Sequence, residues 1–110
     1  MDPVDLYALL GNALDNAMES VRHLEDPLAK TISLSLFKRS GIAVLQIENC
    51  YEGVIRMKDG LPATSKTSEV GWHGFGMKSM QGTAEKYGGV MDIRTDNGVF
   101  LLRITLPLAS

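Results

Sequence analysis

Thr31-Ile32-Ser33-Leu34-Ser35-Leu36-Phe37-Lys38-Arg39-Ser40-Gly41-Ile42-Ala43-Val44-Leu45-Gln46-Ile47 is where the chain changes period. From Thr31 to Lys38, Ile32, Leu34 and Leu36 alternate with Thr31, Ser33 and Ser35, the two-residue period of a half-buried strand. Arg39-Ser40-Gly41 supplies a tight turn, and Ile42 to Ile47, rich in branched side chains, returns beside it. Upstream, residues 4–24 place Leu6, Leu10, Ala13, Leu14, Ala17 and Val21 at steps of three and four, one face of an amphipathic helix. Asp2 is positioned to cap it, Pro3 suits the first helical position, and Asp5 complements the positive end of the dipole. Downstream, Met77, Met80, Ala84 and Tyr87 mark a second helix stopped by Gly88-Gly89. Val90 to Arg94 and Val99 to Leu106 flank Asp96-Asn97-Gly98, a strong hairpin signal. The order helix, hairpin, long gap, helix, hairpin predicts an α/β two-layer sandwich of the α+β class, a mainly antiparallel sheet with helices packed on one face.

Length and charge narrow the function. The 110 residues carry 11 Lys and Arg against 13 Asp and Glu, a net charge of −2. No positive field exists to hold a polyanion, so nucleic acid is not an expected partner. A 45% hydrophobic chain of this length suits a single domain over residues 1–110. Cys50 is the lone cysteine, which precludes an internal disulfide and fits a reducing compartment. Apolar runs are far shorter than the ~18 residues that span a bilayer. Met1-Asp2-Pro3 lacks the order of a signal peptide. A soluble domain without direct membrane insertion is expected.

Between the hairpins, Cys50 to Trp72 has no sustained periodicity, only Gly53, Gly60, Pro62 and Gly71 among small polar residues. A loop longer than ~15 residues in a compact domain is commonly a functional lid or simply disordered. On the first helix, Asn12, Asn16 and Glu19 fall at i, i+4 and i+7 and share one edge beside the apolar stripe. They form either a solvated flank or a site in which Asn16 offers an amide oxygen to magnesium, a hard cation that takes few protein ligands. Gly71-Trp72-His73-Gly74-Phe75-Gly76-Met77-Lys78 opens the second helix. Glycines there let backbone N–H groups approach an anion, with Lys78 as an added cation, although a loop turning a corner has the same pattern. No βαβ unit or Gly-Lys-Ser/Thr sequence accompanies it, which disfavours a Rossmann or P-loop site. His23, His73 and Cys50 are too scattered to make a zinc site, and Cys50 is expected as a buried structural thiol. Trp72 either packs the loop or sits on the surface, and the six methionines read mostly as core.

Taken together, these pieces resemble one family. Leu9-Leu10-Gly11-Asn12-Ala13-Leu14-Asp15-Asn16-Ala17-Met18-Glu19-Ser20 resembles the asparagine box of the ATP-binding domain of sensor histidine kinases. That domain belongs to an ATPase superfamily shared with DNA gyrase, a heat-shock chaperone and mismatch-repair proteins. Gly74-Phe75-Gly76-Met77 resembles its glycine box, and Glu85-Lys86-Tyr87-Gly88-Gly89 and Leu106-Pro107-Leu108 match as well. The resemblance runs over nearly the whole chain and implies a Bergerat-type ATP-binding fold with residues 50–73 as the ATP lid.

It also implies ATP and Mg2+ as ligands. Asn16 matches the magnesium-binding asparagine, and Asn12 stands where gyrase-like relatives carry a water-activating glutamate. An amide cannot be that base, which fits transfer to a protein histidine better than hydrolysis. Gly74, Phe75, Gly76, Met77 and Lys78 match the phosphate-binding segment, and Lys66 in the lid is placed for the γ-phosphate. The usual Asp-x-Gly-x-Gly adenine motif is replaced by Glu48-Asn49-Cys50-Tyr51-Glu52-Gly53. Asn49, with Glu52, then faces the adenine, accepting through an uncharged oxygen. This pattern, with Asp59-Gly60-Leu61-Pro62 and Thr64-Ser65-Lys66, looks like the peptide-pheromone-receptor branch.

The implied partners lie outside the chain: a histidine-bearing dimerisation domain and a response regulator. No dimerisation helix precedes Asp5, so the resemblance implies a fragment of a larger, membrane-bound bacterial kinase, on its cytoplasmic side. Two alternatives share the fold: a docking module impaired in nucleotide binding, and a serine kinase acting on an anti-sigma-factor antagonist.

Overall fold

The structure, a computed structural model, describes residues 1–22, 24–52, 57–58, 61–62 and 74–108, with 57–58, 61–62 and 74–75 by backbone alone. Helix α1 spans Pro3–Arg22. Asp2 caps it as expected: its Oδ1 accepts from Val4 N at 2.8 Å and its carbonyl from Leu6 N at 3.1 Å. Asp26 likewise caps a short 3-10 turn, Pro27–Ala29. Strands β1 (Ile32–Arg39) and β2 (Ile42–Cys50) meet at Ser40 and Gly41, both with positive φ. Strands β5 (Val90–Asp96) and β6 (Val99–Pro107) meet in the same way at Asn97 and Gly98. Such two-residue turns match the twist of an antiparallel pair.

The four long strands form one antiparallel sheet in the order β1-β2-β6-β5. Helices α1 and α2 (Gly74–Lys86) pack on each other and on one face of it. The fold class expected from the sequence is therefore the one observed. The core between the layers is built from Leu9, Ala13 and Ala17 of α1, Met77, Met80 and Ala84 of α2, and Leu45, Ile47, Phe100, Leu102, Ile104 and Leu106 of the sheet.

Three expectations are corrected. The buried side of α1 runs through Leu9, Ala13, Asn16, Ala17, Ser20 and Val21, while Leu6, Leu10 and Leu14 are only half-buried. The face is rotated because α2 packs beside α1 and draws the Asn16 side inward. Strand β1 is present but not half-buried: Leu34 is 47% and Leu36 60% exposed. It lies at the sheet edge, where α1 covers β2 in preference to β1, and Ile32 alone of its side chains joins the core. Finally, the stretch read as loop contains a short antiparallel ladder, β3 (Met57–Lys58) with β4 (Leu61–Pro62), and β4 lies against α2. The methionines divide too, since Met77 and Met80 are buried whereas Met1 and Met18 are exposed.

Helix α2 ends in a left-handed cap. Gly88, at φ +74°, donates to the Glu85 carbonyl at 3.0 Å, and Gly89 donates to the Ala84 carbonyl at 2.7 Å. Gly89 then runs so close to β6 that a Cβ there would stand 2.2 Å from the Thr105 carbonyl oxygen.

A polar clasp joins the same end of α2 to the start of α1. Tyr87 donates its hydroxyl to the Asp5 carboxylate, Lys86 Nζ approaches the same oxygen at 3.0 Å, and Asp2 N donates to Tyr87 Oη at 3.0 Å. The Tyr87 hydroxyl, helped by Lys86, holds the Asp5 carboxyl below its ordinary value of 3.8. The same carboxylate raises Lys86 and Tyr87 above their ordinary values of 10.5 and 10.0. A depressed acid stabilises the fold above its unfolded pKa and loses that contribution as pH falls through the folded one. The raised groups contribute below their unfolded pKa values and lose that contribution as pH rises through the folded ones. The clasp is therefore constant through neutrality. Asp5→Asn is expected to lower the melting temperature by the same few degrees at pH 6 and pH 8, with the difference closing below about pH 4. Paired thermal melts across pH check this, and a difference that persists undiminished at pH 2.5 contradicts it.

Candidate functional site

Asn12, Asn16 and Ser20 stand at i, i+4 and i+8 of α1, one line along the helix. Asn12 is half-buried, with its Oδ1 3.9 Å from where a Cβ on Gly76 would stand. Asn16 is 5% exposed and donates from Nδ2 to the Met77 sulfur at 3.4 Å. The side-chain row on α1 and the first turns of α2, 61 residues apart at this contact, therefore meet face to face. Asn16 is not part of a solvated flank. Glu19, the third member of the proposed edge, is half-buried and pairs with Arg22.

The end of β2 closes the other side. Leu45, Ile47 and Asn49 are buried at alternate positions of the strand, which puts Asn49 on the helix-covered face. Asn49 is 3% exposed, and its Nδ2 donates to the Cys50 carbonyl at 2.9 Å. Its Oδ1 is buried with no hydrogen-bond partner. Ser20, 4% exposed, donates to the same Cys50 carbonyl at 3.4 Å and so joins α1 to β2. The sequence places Ser20 at the end of the asparagine-box stretch, four residues from Asn16, but gives it no role of its own. A buried acceptor without a donor is costly and rare in a finished fold, so this oxygen is available to a donor on a water or a ligand.

The remaining candidates are placed less centrally. Glu52 is exposed just past β2, and Lys78 is exposed on α2. Met77 is a core side chain that touches the site through its sulfur. Gly74 and Phe75 form the first turn of α2, whose N–H groups have no intrahelical partner. The Phe75 side chain, Lys66, Trp72, His73 and His23 lie outside the described residues. Cys50, expected to be buried, is half-buried because it ends its strand at the sheet margin.

The donor set is one of neutral amides rather than charged side chains. Among the described residues no group of three or more His, Cys, Asp or Glu side chains is assembled for a metal. A cation here relies on amide oxygens and on the ligand's own, the pattern magnesium accepts. With its nitrogen turned to Met77, Asn16 has its carbonyl end left for that purpose. The orphaned Asn49 oxygen calls for a donor on a ligand. Among the described residues no helix is long and apolar enough to cross a membrane.

A two-layer sandwich whose asparagine-bearing helix faces a glycine-led helix defines the class as an α+β domain. The sequence profile of one such family, described as the GHKL domain, matches residues 1–107, and the chain belongs to that family. No curated protein matches in sequence. Among solved structures, the chain is similar in fold to Acinetobacter baumannii histidine kinase AdeS, with a TM-score of 0.66 and 14% identity over 96% of this chain. It spans only 47% of that chain, and at this identity the likeness is one of fold alone.

Proposed function

We propose that this chain is the ATP-binding catalytic domain of a two-component sensor histidine kinase, which transfers the γ-phosphoryl group of ATP to a histidine on a separate dimerisation domain. The observation that supports it most is the hydrogen bond of Asn16 to Met77, with Asn12 beside Gly76, in a chain of the GHKL family. In this reading residues 1–110 form one domain and residues 50–73 its lid. Asn16 holds Mg2+ through its amide oxygen, with Asn12 in support directly or through water. Asn49 and Glu52 face the adenine. The backbone of Gly74, Phe75, Gly76 and Met77, with Lys78, meets the phosphates at the start of α2, and Lys66 reaches the γ-phosphate from the lid. Bound magnesium supplies charge neutralisation and orientation of the phosphate oxygens. Catalysis by the domain is positioning, with no covalent chemistry of its own.

Asn12 has no basic oxygen to take a proton from water, so hydrolysis lacks its base. The nucleophile is an imidazole brought by the dimerisation domain, and a response regulator accepts the phosphoryl group afterwards. The altered adenine motif supports a relation to the peptide-pheromone-receptor branch of these kinases, and in this reading the domain is the cytoplasmic part of a membrane-bound protein. Calorimetric titration of the purified domain with ATP, with and without Mg2+, tests the reading. Magnesium-dependent binding in the micromolar to millimolar range, with negligible ATP turnover, is expected. A folded sample that binds no ATP at millimolar concentration overturns it.

A further inference from the structure

Asparagine presents a donor end and an acceptor end of almost the same shape, so a half-turn of the amide inverts what it recognises. At Asn49 the choice is forced by chemistry. The Cys50 carbonyl 2.9 Å away can only accept, so the end facing it is Nδ2, and Oδ1 is the end left without a partner. That carbonyl is itself pinned. Ser20 Oγ donates to it at 3.4 Å, and the other side of the same peptide, Tyr51 N, donates to the Gly98 carbonyl at 2.9 Å. The Cys50–Tyr51 peptide is thus held by α1 on one side and by the β5–β6 turn on the other.

We propose that Ser20 and the Cys50 carbonyl act as a clamp that fixes Asn49 as an acceptor only, so that the site takes a nucleobase presenting an amino group there and rejects one presenting a carbonyl. The inference rests on the nucleotide-binding reading above. Ser20 is a positioning residue: its hydroxyl steadies the peptide oxygen that orients Asn49. Selection then comes from the fixed direction of a neutral amide and needs no buried charge, which this mostly apolar side of β2 would penalise. A base with a carbonyl at this position would set oxygen against oxygen, leaving two acceptors unpaired in a buried place.

The test compares magnesium-ATP with magnesium-ITP, which carry the same sugar and triphosphate and differ by a carbonyl in place of the amino group. Calorimetry on the wild-type domain is expected to give ATP an advantage of about tenfold or more. Ser20→Ala, which removes one hydroxyl, is expected to cut that ratio several-fold. Asn49→Leu, which keeps the volume, is expected to bring it to about one, and Ser20→Ala keeps the test decisive if that variant does not fold. A merely structural Ser20 would weaken both nucleotides alike, so an unchanged ratio in folded Ser20→Ala overturns the clamp. Equal wild-type binding of ATP and ITP overturns base selection while leaving nucleotide binding intact. Failure to bind either overturns the nucleotide-binding reading itself.

Discussion

Replacing Asn16 with alanine is expected to lower the affinity for magnesium-ATP by about 100-fold, with little change for ATP measured in EDTA. The size of the effect follows from how few protein ligands the site offers. Among the described residues no cluster of three or more acidic, histidine or cysteine side chains stands ready to replace the amide oxygen. The fold itself has little to lose. Asn16 donates only to a thioether sulfur, a weak acceptor, and its neighbours along the buried face are already the small Ala13 and Ala17. A melting temperature within a few degrees of wild type should therefore accompany the lost binding. Asn16→Asp, which retains a hard oxygen, should recover part of the magnesium-dependent affinity. Were Asn16→Ala to bind magnesium-ATP as tightly as wild type, Asn16 would not be the metal ligand.

The second large effect is on stability. Gly89→Ala is expected to destabilise the domain by about 3 kcal/mol, lowering the melting temperature by roughly 12–24 °C. The added methyl would stand 2.2 Å from the Thr105 carbonyl oxygen and 2.8 Å from Leu106 Cδ2. The first of these is strand backbone, hydrogen-bonded between β2 and β5 in the middle of the sheet, and cannot turn aside as a side chain could. Gly82→Ala, inside helix α2, provides the contrast. A Cβ there meets nothing within 4 Å, so the substitution should stabilise by about 0.5–1 kcal/mol through reduced freedom of the unfolded chain. Thermal melts of the two variants should therefore move in opposite directions. A Gly89→Ala melt within 3 °C of wild type would show that α2 and β6 separate without cost.

Much of this is legible in the amino-acid sequence alone. Asp2-Pro3 at a helix start, Asn97-Gly98 between alternating runs and Gly88-Gly89 after a periodic stretch each describe a backbone conformation that only a few residue types adopt. Asn12 and Asn16 were likewise visible as a pair because a four-residue step puts both on one side of a helix. Less legible was what each side faces. Leu34 and Leu36 alternate as cleanly as Leu45 and Ile47, yet the first pair is exposed and the second buried. Alternation records which residues share a face, and position in the sheet settles whether a helix covers it. Ser20 shows the same limit, since nothing local distinguishes it from a surface serine until Cys50, 30 residues on, arrives beside it.

The residues alone specify the elements, their caps and turns and the antiparallel two-layer class, because those depend on dihedral preferences and periods within a few neighbouring positions. Folding in three dimensions adds the burial of Asn16 against Met77, the edge position of β1, and the orphaned oxygen of Asn49 held by the Cys50 carbonyl. Those features come from partners far away in the chain. Burial and unpaired hydrogen-bonding capacity exist only once distant segments exclude water between them.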